Sequence, residues 1–131
     1  MLNKLAWIFG VVFVAIGVLG FVPGITSGGM LLGIFMVDGL HNIIHILSGL
    51  LALAAVWGMY SPRLYFQIFG VVYALVTVLG FVGGSVLGLF MTNMADNLLH
   101  LVIAAVALYA GFMMKESSMA PSSAMGMGAT M

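Results

Sequence analysis

Two short stretches hold the side chains whose types and spacing could do chemistry: His41-Asn42-Ile43-Ile44-His45 and Asp96-Asn97-Leu98-Leu99-His100. Each sets two ionisable groups four residues apart at the opening of an otherwise apolar helical segment, so the two share one helix face. His41, His45, Asp96 and His100 together would present three imidazoles and one carboxylate. Zn(II) or another divalent ion accepts that donor set. Two residues at i, i+4 on each of two helices also suit a site in a bundle core. His45 and His100, on separate helices, are the pair that axial ligation of a b-type haem would need. Proton handling by the His/Asp set, as in transporters, is a further use.

The plainest use is structural. Asp38 and Asp96 would cap helix N-termini, where the helix dipole favours negative charge. Asn42, Asn97 and the histidines would then hydrogen-bond across helices or tie down the flanking loops. There is no Glu-x-x-His pattern for a di-iron carboxylate site. Nor is there a nucleophilic triad, a phosphate loop or a glycosidase carboxylate pair, so the sequence carries no enzyme signature.

The composition fixes the solvent of the elements that must position these residues. The 131 residues are 64% hydrophobic and 5% charged, with a mean hydropathy of +1.30. A soluble domain carries about a quarter charged residues. This chain cannot cover a water-facing surface, so lipid is its solvent. Three Lys/Arg balance three Asp/Glu, which leaves no basic patch for nucleic acid and no charged tail for an oppositely charged partner. Cysteine is absent. That removes disulfides, thiolate metal sites and cysteine nucleophiles.

Four crossings follow from the apolar runs. Leu5–Val22 lies between Lys4 and Pro23 and suits one crossing, which needs about 20 residues. It is too long for a signal-peptide core and no small-x-small site follows it, so it reads as a retained helix. Pro23–Gly29 has loop chemistry. Met30–Val37 is too short to span, and reads as an interfacial helix or a loop folded back into protein. Asp38 offers an N-cap for a second helix over about Gly39–Tyr60. Ser61-Pro62-Arg63 breaks the chain, and a third helix runs to about Val82. Val86–Met91 repeats the short apolar run, and a fourth helix runs from near Asp96 to near Met114. Residues 115–131 are Met-, Ser- and Gly-rich without a periodic face, and read as a disordered tail. Met125 and Met127 within it could hold Cu(I) through thioethers, although a flexible tail that happens to contain methionine is the plainer reading.

The chain repeats itself. Ile8–Val22 (IFGVVFVAIGVLGFV) and Ile68–Val82 (IFGVVYALVTVLGFV) agree at ten of fifteen positions, and LLGIFMVDGLHN from Leu31 aligns with VLGLFMTNMADN from Val86. His45 then falls on His100. Glycines and polar residues match as well as apolar ones, so shared hydrophobicity alone does not account for it. The expectation is an all-α membrane protein: a four-helix transmembrane bundle over residues 1–114, built from two parallel two-helix repeats at about 5–60 and 64–114. Lys4, Arg63 and Lys115 fall on one side, which the positive-inside rule makes cytoplasmic, with Trp7, Trp57, Tyr60 and Tyr65 as an aromatic belt. On the second helix the stripe His41, His45, Ser48, Ala52 and on the fourth helix the stripe Asp96, His100, Ala107, Gly111 should face each other at the outer end. Small residues such as Gly10, Gly17, Gly20, Gly70 and Gly80 allow close helix approach.

The repeated Leu-Gly-Phe helix end, the Leu-Gly-x-Phe run, and then His-Asn-x-x-His and Asp-Asn-x-x-His resemble one bacterial family, the domain-of-unknown-function 4383 family. The residues that carry the resemblance are Leu19-Gly20-Phe21, His41-Asn42, His45, Asp96-Asn97 and His100, and it covers about Ile8–Met114. It implies a four-helix, multi-pass protein of the bacterial plasma membrane and no particular reaction. Two readings of function stand side by side. One is a structural or accessory membrane protein, alone in the bilayer or within a homo-oligomer or larger membrane complex, whose outer polar cluster fixes helix packing. The other is a metal- or haem-binding protein, redox or sensing, that uses the same cluster.

Overall fold

The structure is a computed structural model and describes residues 1–115. Four helices dominate it: α1 (Leu2–Leu19), α2 (Gly39–Val56), α3 (Pro62–Gly83) and α4 (Met94–Phe112). All four are long and apolar enough to cross a membrane. Most of their large apolar side chains point outward. That is the arrangement expected when lipid rather than water surrounds the bundle. The expected tail, with Met125 and Met127, lies outside the described residues.

The helix ends have local causes. Asp38 caps α2, accepting the His41 backbone N–H at 2.9 Å. α2 stops at Val56, four residues before the expected Tyr60. There Gly58 adopts a left-handed φ of 85°, and the Gly58 and Met59 N–H groups turn back to the Ala55 and Ala54 carbonyls. This Schellman closure satisfies carbonyls that a longer helix would have used. Ser61 and Pro62 then start α3, with proline at the position where its missing N–H costs nothing. α1 is shifted toward the N-terminus relative to Leu5–Val22, ending at Leu19. α4 begins at Met94, because its N-cap is Asn93 and not Asp96.

The two short apolar runs are β-ribbons, so the interfacial-helix alternative is corrected. β1 (Thr26–Ser27), β2 (Met30–Leu31) and β3 (Phe35–Met36) form an antiparallel meander, with Thr26 opposite Leu31 and Leu31 opposite Phe35. β4 (Ser85–Val86) and β5 (Phe90–Met91) form a second ribbon, with Val86 opposite Phe90. Runs this short favour strands because Leu-Gly supplies a tight turn at their centre. Leu32 and Gly33 both have positive φ, as do Leu87 and Gly88, so each three-residue loop between the paired strands turns through left-handed backbone.

α1 packs along α2 and α3 along α4, and the two hairpins meet more lightly through α2, α3 and α1. Within each hairpin small residues set the spacing: a Cβ on Gly10 would lie 3.1 Å from the Gly49 carbonyl, and one on Gly111 would lie 2.7 Å from the Gln67 nitrogen. Between hairpins the core is aromatic. Phe9, Phe13, Phe66, Phe69 and Tyr73 form edge-on and stacked pairs with centroids 4.1–5.9 Å apart. Tyr65 belongs to this core, 4% exposed and stacked on Phe69, which corrects its placement in an interfacial belt. Trp7 and Trp57 are exposed, as a belt requires. Arg63 donates to the Gly111 and Met114 carbonyls, closing the C-terminal end of α4; a cation there also opposes the negative end of the helix dipole.

Candidate functional site

Three imidazoles converge at the β-ribbon end of the bundle. His41 and His45 sit in the first two turns of α2 and His100 in the second turn of α4. All three are buried. One nitrogen from each can be chosen so that all three lie within 4.8 Å of one another. The ring centroids are 4.5 Å apart for His41–His45, 5.6 Å for His41–His100 and 6.2 Å for His45–His100. The two helix stripes therefore do face each other, as the i, i+4 spacing requires. Ser48, farther along the α2 stripe, bonds the Tyr73 hydroxyl at 3.1 Å, and its carbonyl accepts from the Tyr65 hydroxyl.

The rings are held by aromatic walls from three other elements. Phe13 of α1 meets His45 edge-on at 5.6 Å. Tyr73 of α3 meets His100 edge-on at 5.5 Å. Phe90 of β5 stacks on His41 at 4.7 Å and closes the top. Inside this enclosure both His41 nitrogens, His45 Nδ1 and His100 Nδ1 are buried without a hydrogen-bond partner. A buried nitrogen that finds no partner costs about 1–3 kcal/mol. Four such nitrogens share this one enclosure.

The carboxylates do something else. Asp96 Oδ2 accepts the backbone N–H of Asn93 at 2.9 Å and, across the bundle, that of Met36 at 3.1 Å. Asn93 Oδ1 accepts the Asp96 N–H in return, completing a capping box. Asp38 uses one oxygen for its own helix and places the other 3.4 Å from the Met91 N–H of the second ribbon. Asn93 Nδ2 adds a bond to the Ile34 carbonyl at 2.8 Å. Each half thus clips the ribbon of the other half. Asp96 is outside the convergent set of imidazoles: the structure commits its Oδ2 to two backbone donors. Its expected N-cap role passes to Asn93.

The two asparagines were expected to bond across helices, and they do not. Asn42 Oδ1 and Asn97 Oδ1 are buried and have no partner. Each is pressed instead on a glycine of the preceding helix: a Cβ on Gly20 would stand 2.0 Å from Asn42 Oδ1, and one on Gly80 would stand 2.1 Å from Asn97 Oδ1. The approach is open only to glycine, and it places the amide oxygen where a Cα–H can be its weak donor.

The haem arrangement does not fit. A porphyrin ligated by His45 and His100 would lie between their rings and extend sideways from the midpoint. His41 stands 4.5 Å from one ring and 5.6 Å from the other, in the space the macrocycle would fill. The cavity of about 180 Å³ that His45 and His100 border is lined by Ile8, Phe9, Val12 and other apolar residues of α1 and α4; it lies beside the triad, not between the two rings.

Sequence reasoning missed the Phe90 roof and the carboxylate clips. The alignment of Asp38 with Asn93 and of His41 with Asp96 was the available signal, since each polar position at the start of α2 has a polar counterpart at the start of α4. No curated protein and no solved structure matches the chain. A family model does, over residues 3–113, and it spans all four helices and both ribbons. The chain therefore belongs to the family described as domain of unknown function (DUF4383).

Proposed function

We propose that this multi-pass membrane protein binds a divalent transition-metal ion through His41, His45 and His100. The observation that carries the reading is the convergence of three buried imidazoles with unpartnered nitrogens. Zn(II) takes imidazole nitrogen at about 2.0–2.1 Å, so tetrahedral ligands stand roughly 3.4 Å apart. The triad's nitrogens, within 4.8 Å of one another, would have to close by about an ångström to reach that spacing. Three protein ligands leave a fourth position for water or another small ligand, the pattern of reactive and sensing sites more than of closed structural ones. Neutral imidazole is the ligand form, and the Phe13, Tyr73 and Phe90 walls favour it by excluding water.

The test is cobalt and zinc titration of the purified full chain in detergent, with elemental analysis of the native protein. A saturable 1:1 site with tetrahedral Co(II) absorption is expected. His45→Ala and His100→Ala abolish it while the bundle survives, with stability changing by about 0.5–2 kcal/mol. A protein that carries no metal and shows no saturable Co(II) spectrum would leave the triad as packing alone.

A second reading is supported by the ribbon clips. Asp38, Asp96 and Asn93 fasten the two halves together at the same end, so the polar cluster also serves the structural role of an accessory membrane protein, alone or in a larger complex. Orientation belongs to the same reading. Lys4, Arg63 and Lys115 lie at the end away from the ribbons, and the positive-inside rule supports a reading in which both termini are cytoplasmic and the triad is at the outer face of a bacterial plasma membrane. A reporter fused after Met131 then reads cytoplasmic and one inserted at Ser27 reads external; the reverse pattern would invert the site.

A further inference from the structure

The two hairpin tips carry an unexplained cost. Leu32 and Leu87 sit at the first central position of their turns with φ of 54° and 53°. This left-handed region is unfavourable for a branched apolar side chain and common for Gly or Asn. Neither leucine recovers the cost by packing: they are 65% and 74% exposed. The same residue type, strain and exposure occur at matched positions in both halves. Strain retained twice at exposed positions marks a side chain that is used from outside the fold.

The surroundings identify what it meets. Next to the tips, Ile34, Leu89 and Met91 are also exposed. Residues 30–37 and 86–91 contain no side chain with a polar N or O atom, and the Asn93 and Asp38 side chains beside them are engaged by the Ile34 carbonyl and the Met91 N–H. Three backbone donors at the tips are paired within the chain: Leu32 N–H with Ile25 O at 2.8 Å, Ile34 N–H with Leu31 O at 3.0 Å, and Leu89 N–H with Val86 O at 2.9 Å. Non-helical chain next to hydrocarbon needs that internal pairing. Each ribbon lies across the opposite half, the first held to the α4 N-cap through Asn93 and Ile34. The first ribbon contacts α4 and the second contacts α2, and on those helices Met94, Leu98 and Leu40 are exposed. The tips continue the lipid-facing belt of the helices.

We infer that the Leu32 and Leu87 tips are interfacial anchors that seat in the lipid of the leaflet at the ribbon end, holding the ribbons down over the bundle. The inference is independent of metal binding.

The test uses the full chain with Trp7 and Trp57 replaced by Phe, and Leu32→Trp or Leu87→Trp as the single reporter. It is reconstituted in phosphatidylcholine vesicles, with or without bromine on the acyl chains close to the headgroup. Each tip tryptophan is expected to emit at short wavelength. Brominated lipid should dim it by about half or more, while aqueous acrylamide leaves it near its starting value. Quenching by acrylamide and not by lipid would place the tips in water and overturn the proposal. Shielding from both quenchers would mean that protein, such as a second copy, covers them, and would overturn it as well. If a tryptophan variant fails to fold, Leu32→Cys and Leu87→Cys carrying an environment-sensitive thiol dye give the same three outcomes, since the chain has no other cysteine.

Discussion

The two halves of the molecule are nearly the same scaffold with different chemistry at one turn. In the first half the N-cap is Asp38 and the third helical position is His41; in the second half the N-cap is Asn93 and the third helical position is Asp96. Two contacts around that turn match. Asn42 presses on Gly20 as Asn97 presses on Gly80, and Met36 and Met91 each give a backbone N–H to a carboxylate of the opposite half. The carboxylate has moved by one helical turn between halves, yet it reaches the equivalent ribbon in both. What the move changes is the triad. The position filled by Asp96 in one half is free to carry an imidazole in the other, so a near-symmetric scaffold encloses three histidines and not two. The roles are divided: carboxylates clamp the ribbons and imidazoles face each other.

The strongest way to break that separation is to make the halves alike. His41→Asp gives both halves a carboxylate at the third helical position and leaves two imidazoles. If the triad is the ligand set, zinc affinity falls by about 100-fold or more, equal to roughly 2.7 kcal/mol. Asp96→Asn removes charge from a clamp and not a ligand, so its effect on affinity stays near or below the roughly 10-fold that an outer partner of a metal site contributes. Isothermal titration of the two variants reads both numbers. Equal losses would mean that Asp96 leaves its capping box to ligate, and the division of labour would fail.

The next effect concerns what the halves share. A Cβ at Gly20 or Gly80 would overlap an asparagine oxygen that is itself walled in. Forcing extra volume into a packed site costs typically 1–3 kcal/mol. Gly20→Ala and Gly80→Ala should each lose stability in that range, by matched amounts, in thermal unfolding in detergent. Adding Asn42→Ala to Gly20→Ala should recover much of the loss, because the second change removes the group that the first one meets. Additive losses would show that the asparagine oxygen is not the obstacle.

Much of this was legible in the chain. Apolar runs of spanning length between Lys4, Pro23, Pro62 and Gly84 set the four crossings. The i, i+4 spacing of His41 with His45, together with the match of His45 to His100, set the facing stripes. The ribbons are not legible in the sequence, because a run such as Met30–Val37 has no alternation to separate strand from helix. Its hairpin depends on Leu32 accepting a left-handed conformation that leucine avoids. The end of α2 was read too long because Trp57, Met59 and Tyr60 continue the apolar pattern past Gly58, and one positive φ overrides it. Asp96 was read as a cap because Asp is a strong capping residue. Asn93, three residues earlier, completes a reciprocal box that no single-residue preference reveals. The roof over His41 was beyond reach for a different reason: Phe90 meets that ring only because the second ribbon crosses to the first half.

The smallest effect sharpens the comparison at the tips. If Leu32 and Leu87 hold left-handed conformations against their preference, a residue that tolerates the conformation should relieve each turn. Leu32→Asn and Leu87→Asn are therefore expected to raise thermal stability in detergent, each by about 0.5–1 kcal/mol, part of the 1–2 kcal/mol that separates left- from right-handed backbone for an L-residue. The two gains should be equal, because the φ angles are 54° and 53° and neither leucine is buried. Detergent matters to the design, since it isolates turn strain from whatever the leucines contact in a bilayer. A gain at one tip and a loss at the other would show that one leucine packs on its own protein. The halves would then differ at their tips as well as at the third helical position.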